Sequence, residues 1–280
     1  MSILVSAAVL ITVAYARPFV HYAQFEWQET WLDGAYTHAW LAIAVLAWLV
    51  YRAGGQDFRL RQARASWAAW GLLGLGAATK CAAVLLGHAT LDGLSLVPLL
   101  LGLSGVLIPD EAARRLRFPI LFLLAIVPVP NLVIDLLTGP MRGWQASGVA
   151  SLFQVAGVPV TRAGYSLLLG DGAGVRELVI SSGCSGIRSL VALSALAALL
   201  GHLQGLPPGR HLLLMAAGVA VVNAANFARI SATALAALHW PAPTVTDVHD
   251  AAGLVVLPVM VAALVWTARR LEPEGRVSHA

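Results

Sequence analysis

Cys184 sits in the run Ser181-Ser-Gly-Cys-Ser-Gly-Ile-Arg188, where a glycine-rich stretch leads into an apolar helix. A thiol at a helix N-terminus feels the positive end of the macrodipole and unpaired backbone N–H groups, and both stabilise a thiolate. A small cysteine among apolar residues is more often packing than nucleophile, so its neighbours decide. Arg188 follows four residues on, one turn along the same helical face. Arg229 lies deep in an apolar stretch that also carries Asn223 and Asn226. A guanidinium facing lipid is penalised, so Arg229 is expected to point inward, toward an anion, with the asparagines placed to hydrogen-bond it or a substrate carbonyl. His249 follows in Thr246-Asp-Val-His-Asp250, a candidate general base beside two carboxylates, with a solvated loop histidine as the plain alternative. A thiolate, an imidazole and a cationic oxyanion stabiliser are the parts that acyl transfer through a thioester requires. The spacing of His249 with Asp247 and Asp250 matches no metal motif, and no cofactor or metal is expected.

The elements that must position these groups are apolar. Of 280 residues, 59% are hydrophobic and 11% charged, against roughly 25% charged in soluble domains. Mean hydropathy is +0.77. Too little polar surface remains to wet a globule, which argues against a soluble enzyme, a disordered chain and a nucleic-acid-binding domain. Two cysteines, Cys81 and Cys184, make neither a disulfide framework nor a C-x-x-C pair. A bilayer-crossing helix needs roughly 20 mostly apolar residues. Eight stretches qualify: 2–16, 35–51, 66–87, 90–109, 118–138, 185–204, 211–238 and 251–268. The expected fold is an all-α polytopic transmembrane bundle of about eight spans, a single integral membrane domain over residues 1–280. The first stretch is short and ends Ala14-Tyr15-Ala16, like a signal-peptidase site, but no Lys or Arg precedes it.

The net charge of +4 is carried by arginines in short loops, the pattern of an inner-membrane protein rather than of a nucleic-acid binder. One set of loops holds Arg52, Arg59, Arg61, Arg64, Arg114, Arg115, Arg117, Arg210, Arg269, Arg270 and Arg276; the alternate set holds only Arg17, Arg142, Arg162 and Arg176. The positive-inside rule then puts both termini in the cytoplasm. Arg229, about 27 Å along an outward-running helix at 1.5 Å per residue, reaches the outer face, where Cys184 and His249 are also expected. Residues 139–184 form a long outer connection. It opens with a candidate interfacial segment, Met141 to Val155, and continues as two apolar runs, 159–169 and 175–180, around Gly170-Asp-Gly-Ala-Gly174, the pattern of a β-hairpin, with an irregular loop as the alternative. Of the remaining ionisable residues in spans, Lys80 is expected to snorkel to the headgroups, while Asp92 and His202 lie near span ends and Asp135 lies within a span.

Several runs also resemble the exosortase/archaeosortase family: Cys184-Ser-Gly-Ile-Arg-Ser-Leu190, Asn226-Phe-Ala-Arg229 and His249-Asp-Ala-Ala-Gly253, preceded by Phe118-Pro-Ile-Leu-Phe-Leu-Leu124, Val127-Pro-Val-Pro130 and Gly157-Val-Pro-Val-Thr-Arg162. The resemblance covers residues 118–260, with residues 1–117 as additional spans. It implies a membrane cysteine transpeptidase that cuts exported proteins at a C-terminal tripartite signal of the PEP-CTERM kind: a short motif, a transmembrane helix and a basic tail. The family's catalytic Cys, Arg and His fall on Cys184, Arg229 and His249. Arg188, Asn226, Asn223, Ser185, Gly186 and Arg162 are the supporting or substrate-binding candidates, and a lipid-linked or glycan acceptor is the expected second substrate. Two residues before the cysteine, where many members carry an acidic residue, this chain has Ser182. The competing readings are a transporter, in which Arg229, Arg188 and Asp135 line an anion path, and a non-catalytic assembly partner in surface polysaccharide export. No inverted repeat supports the first.

Overall fold

A computed structural model describes residues 38–54, 65–127, 131–170, 174–181 and 186–272. The stretch 2–16 therefore lies outside the described residues. The chain divides into two compact units, Met1–Val129 and Pro130–Ala280.

The first unit contains α1 (His38–Gly54), α2 (Trp67–Leu86), α3 (Ala89–Leu107) and α4 (Asp110–Phe122), the last running into a 3₁₀ turn, Leu123–Ala125. Ser66 caps α2 by accepting a hydrogen bond from the Ala69 N–H at 3.2 Å. Gly87 ends it in the left-handed conformation, φ 62°, with its N–H on the Ala83 and Val84 carbonyls. Small residues let α2 and α3 approach closely: a Cβ on Gly76 would run into the Leu99 backbone, and one on Gly102 into the Leu73 backbone. Across this hairpin the Lys80 ammonium pairs with Asp92 at 2.5 Å, with 18% and 14% of the two side chains exposed. Lys80 thus forms an ion pair between helices, a partner that the expectation of snorkelling did not include.

The second unit contains α5 (Asn131–Val155), strands β1 (Val160–Ala163), β2 (Ser166–Leu169) and β3 (Arg176–Val179), and then α6 (Ile187–Leu203), α7 (Pro208–His239) and α8 (Ala242–Arg270). Two expectations are corrected here. The stretch 118–138 is not one span, because α4 and its 3₁₀ turn end by Ala125 and α5 begins at Asn131. The helix has already ended at Ile126 and Val127, and residues 128–130, which include two prolines in the sequence, lie outside the described residues. Residues 141–155, expected as a separate interfacial segment, instead continue α5 as one helix of 25 residues.

The connection after α5 folds into a three-stranded antiparallel sheet in the order β1-β2-β3. The two apolar runs around residues 170–174 pair as β2 and β3, Leu169 opposite Arg176, and Val160–Ala163 adds a further strand on the other side of β2. Gly164, at φ 63°, supplies the positive φ for the tight turn between β1 and β2. Alternate residues Leu167 and Leu169 are almost fully buried, following the period of a strand. They pack with Val149 and Phe153 of α5 and with Ile230 and Ala234 of α7 into one core. Arg176 reaches from β3 to donate to the carbonyls of Ala237 and Trp240 at 2.8 and 2.7 Å. A cation there complements the negative end of α7. A second core joins α6, α7 and α8 through Leu193, Ala197, Leu214, Val222, Met260 and Leu264.

Four helical segments among the described residues are long and apolar enough to cross a membrane: Trp67–Leu86, Thr90–Leu107, Pro208–His239 and Thr244–Arg270. Two shorter apolar helices are Leu41–Ala53 and Ile187–Leu203. The count of eight expected from the sequence is not confirmed among the described residues. Large apolar side chains stay exposed along these helices, among them Trp67, Leu85, Leu212, Leu254 and Trp266, as lipid-facing surfaces require and water-facing ones do not.

Candidate functional site

The site is built on two helix faces in the second unit. On α7, Val222, Asn226, Arg229 and Thr233 recur at spacings of four, three and four, which lines them along one stripe. On α8, His249, Gly253, Val256 and Met260 recur in the same way. The two helices pack along these stripes. The Arg229 Nη2 comes to 2.5 Å from the His249 Nε2. On the other side of the ring, His249 Nδ1 lies 3.3 Å from the Thr233 hydroxyl. That hydroxyl also donates to the Arg229 carbonyl at 2.9 Å.

Gly253 makes room for the pair. A Cβ there would lie 3.6 Å from the guanidinium carbon, so the cation rests against the α8 backbone. A cavity of about 150 Å³ opens beside it, with Ser189, Asn226, Arg229 and Gly253 at its polar side and Val256 and Met260 among its apolar walls. The Arg229 Nε is buried without a hydrogen-bond partner among the described residues. An unmet buried donor costs about 1–3 kcal/mol, so this N–H can still take an acceptor.

Behind the cavity Asn226 is held from α5. Its Nδ2 donates to the Oε1 of Gln145 at 2.6 Å. Gln145 is fully buried, and its Nε2 has no partner among the described residues. In front, Gly186 lies against Asn226, its φ is 81°, and an added Cβ would meet the Asn226 side chain at 3.3–3.4 Å. Both the backbone and the close approach require glycine at this entrance to α6.

The structure therefore brings together Arg229, His249, Asn226 and Gly186 of the candidates. Cys184 and Ser185 lie outside the described residues. The rest stand elsewhere. Arg188 is exposed and Asn223 turns back to bond the Val219 carbonyl of its own helix at 2.8 Å. Arg162 ties β1 to α5 through the Ser147 hydroxyl at 2.5 Å and to the Gly164 carbonyl at 2.7 Å. Asp247 and Asp250 are exposed, two residues before and one after His249 on a helix, so they project to other faces. His249 itself is not in a loop: α8 begins at Ala242. No group of three His, Cys, Asp or Glu side chains among the described residues is arranged to hold a metal. Thr233 and Gln145 are additions that sequence reasoning missed. The available signal was spacing, since Thr233 follows Arg229 by four residues and Asn226 by seven.

Fold and site together define a helical membrane protein with a partly buried arginine–histidine pair beside a small cavity. The chain belongs to the transmembrane exosortase family, whose model matches residues 27–266. Comparison with curated proteins and with solved structures gave no match.

Proposed function

We propose that this chain is a membrane-embedded cysteine transpeptidase that cuts exported proteins at a C-terminal signal made of a short motif, a transmembrane helix and a basic tail. The observation that carries the reading is the contact of Arg229 with His249 beside the cavity. Family membership supports the reaction class. In the sequence Cys184 stands two residues before Gly186, which packs on Asn226 one turn from Arg229.

In this mechanism the Cys184 thiol gives its proton to His249, and the sulfur attacks the scissile carbonyl carbon. The carbonyl oxygen becomes an oxyanion and takes hydrogen bonds from Arg229, which holds a spare buried donor at Nε. The C–N bond breaks as His249 returns the proton to the leaving amine, which departs poorly as an anion. The signal's helix and tail leave, and the protein body stays on Cys184 as a thioester. A lipid-linked or glycan hydroxyl or amine then attacks that thioester, His249 accepts its proton, and the thiolate is released. The loop charge asymmetry supports an inner-membrane protein with cytoplasmic termini and an outer-face site.

The test is co-expression of a reporter carrying such a signal with wild type and with Cys184→Ala. Loss of the tail with wild type alone, at equal membrane levels of both proteins, is the expected result, and added mass on the reporter identifies the acceptor. Equal cleavage by Cys184→Ala overturns the scheme, and no cleavage of several such signals moves the weight to transport or assembly.

A further inference from the structure

The hydrogen-bond directions around His249 fix more than its position. A guanidinium only donates, so the nitrogen it faces, Nε2, must offer a lone pair. The Thr233 hydroxyl has one proton, and that proton is committed to the Arg229 carbonyl at 2.9 Å, which cannot donate in return. Toward His249 Nδ1, at 3.3 Å, the same oxygen can therefore only accept. Both sides of the ring demand one tautomer, with the proton on Nδ1 and Nε2 bare.

Thr233 is also fixed in place. Its side chain is 5% exposed, and a threonine bonded to the carbonyl four residues back on its helix has its χ1 set by that bond. Asp247 and Asp250, the carboxylates nearest to His249 in sequence, are exposed on other faces of α8.

We infer that Thr233 is a positioning residue of this site: its hydroxyl, held by the Arg229 carbonyl, accepts from His249 Nδ1–H and keeps Nε2 unprotonated for proton transfer. The inference rests on the proposed transpeptidase reading for its kinetic consequence, though not for the tautomer itself. It also couples the two groups, since the carbonyl that orients Thr233 belongs to Arg229. In the resting molecule the guanidinium covers Nε2. When Arg229 turns to an oxyanion the lone pair is exposed, and Thr233 prevents the ring from rotating or changing tautomer at that moment.

The experiment compares Thr233→Val, which keeps the branched shape and removes the acceptor, with Thr233→Ser, which restores it. For Thr233→Val, kcat for reporter cleavage is expected to fall about 10–100-fold, less than the roughly 10²–10⁴-fold contribution of the acid–base group that Thr233 positions, with KM unchanged. Thr233→Ser should recover most of the rate. Equal losses in both variants, or wild-type kcat in Thr233→Val, overturn the inference. Nitrogen-15 NMR of histidine-labelled protein in detergent gives a readout independent of activity, with the His249→Gln spectrum identifying the signal. The expected wild-type signal is the Nδ1–H tautomer, becoming a mixture in Thr233→Val. A wild-type signal from the Nε2–H tautomer overturns the inference even if every variant cleaves. The expected tautomer in a protein that cleaves nothing leaves the positioning intact and removes the transpeptidase reading alone.

Discussion

Each unit of the molecule places one pair of ionisable side chains among apolar helices, and the two pairs are built on opposite principles. In the first unit Lys80 and Asp92 join α2 to α3 as cation and anion. Attraction offsets desolvation within the pair, and its work is to hold two helices together. In the second unit Arg229 faces a histidine and a small cavity, and no carboxylate pairs with it among the described residues. Its positive charge is left uncompensated, with one donor unused. A buried charge matched by its opposite is structural. In the proposed mechanism, a charge matched by a base and a void serves an anion that comes and goes.

The largest effect expected from breaking this comparison is at Arg229. Arg229→Lys keeps the charge and loses the planar fork, so a loss of about 10²–10³-fold in kcat is expected, in line with removal of an oxyanion donor. Membrane levels of that variant should stay near wild type. A fall in protein level matching the fall in activity would make Arg229 structural, like Lys80, and erase the distinction.

The first pair should behave in the reverse way. Lys80→Met leaves Asp92 unpaired and should lower thermal stability in detergent, by less than the roughly 3–5 kcal/mol of a fully buried pair, because both side chains retain some exposure. Cleavage per folded molecule should not change. The smallest effect belongs to the double variant Lys80→Met/Asp92→Leu, which removes both charges and should regain most of the lost melting temperature. Failure of the second substitution to rescue the first would show that Lys80 has a role beyond its partner.

The sequence made parts of this contrast readable. Arg229 is legible because an arginine in an apolar stretch has few tolerable surroundings, and inward orientation is the least costly. The apolar runs flanking residues 170–174 are legible as a candidate strand pair because they bracket a Gly/Asp turn signal, whereas the division of the run 159–169 into β1 and β2 at Gly164 was not read. The pairing of Lys80 with Asp92 was hidden, because it depends on how closely α2 and α3 approach, which Gly76 and Gly102 determine only once the register is known. His249 looked like a loop residue since Thr246-Asp-Val-His-Asp250 is polar, yet Pro241 precedes a helix that starts at Ala242 and carries it. Thr233 and Gln145 were invisible for the same reason as each other: a hydroxyl or an amide on a helix acquires meaning only from the partner across the gap. The helix break after Ala125 had its signal in Pro128 and Pro130, which were outweighed by the hydrophobicity on either side.

The most direct measurement is intact and peptide mass spectrometry of the enzyme itself after co-expression with a tripartite-signal reporter. The account predicts that in wild type the peptide containing Cys184 carries the reporter's protein body as a thioester, released by neutral hydroxylamine, and that the adduct is lost in a His249→Ala background, which lacks the group that deprotonates the thiol and protonates the leaving amine. Reporter cleavage proceeding in wild type with Cys184 unmodified would contradict a thioacyl route and leave the Arg229–His249 pair without the nucleophile it is proposed to serve.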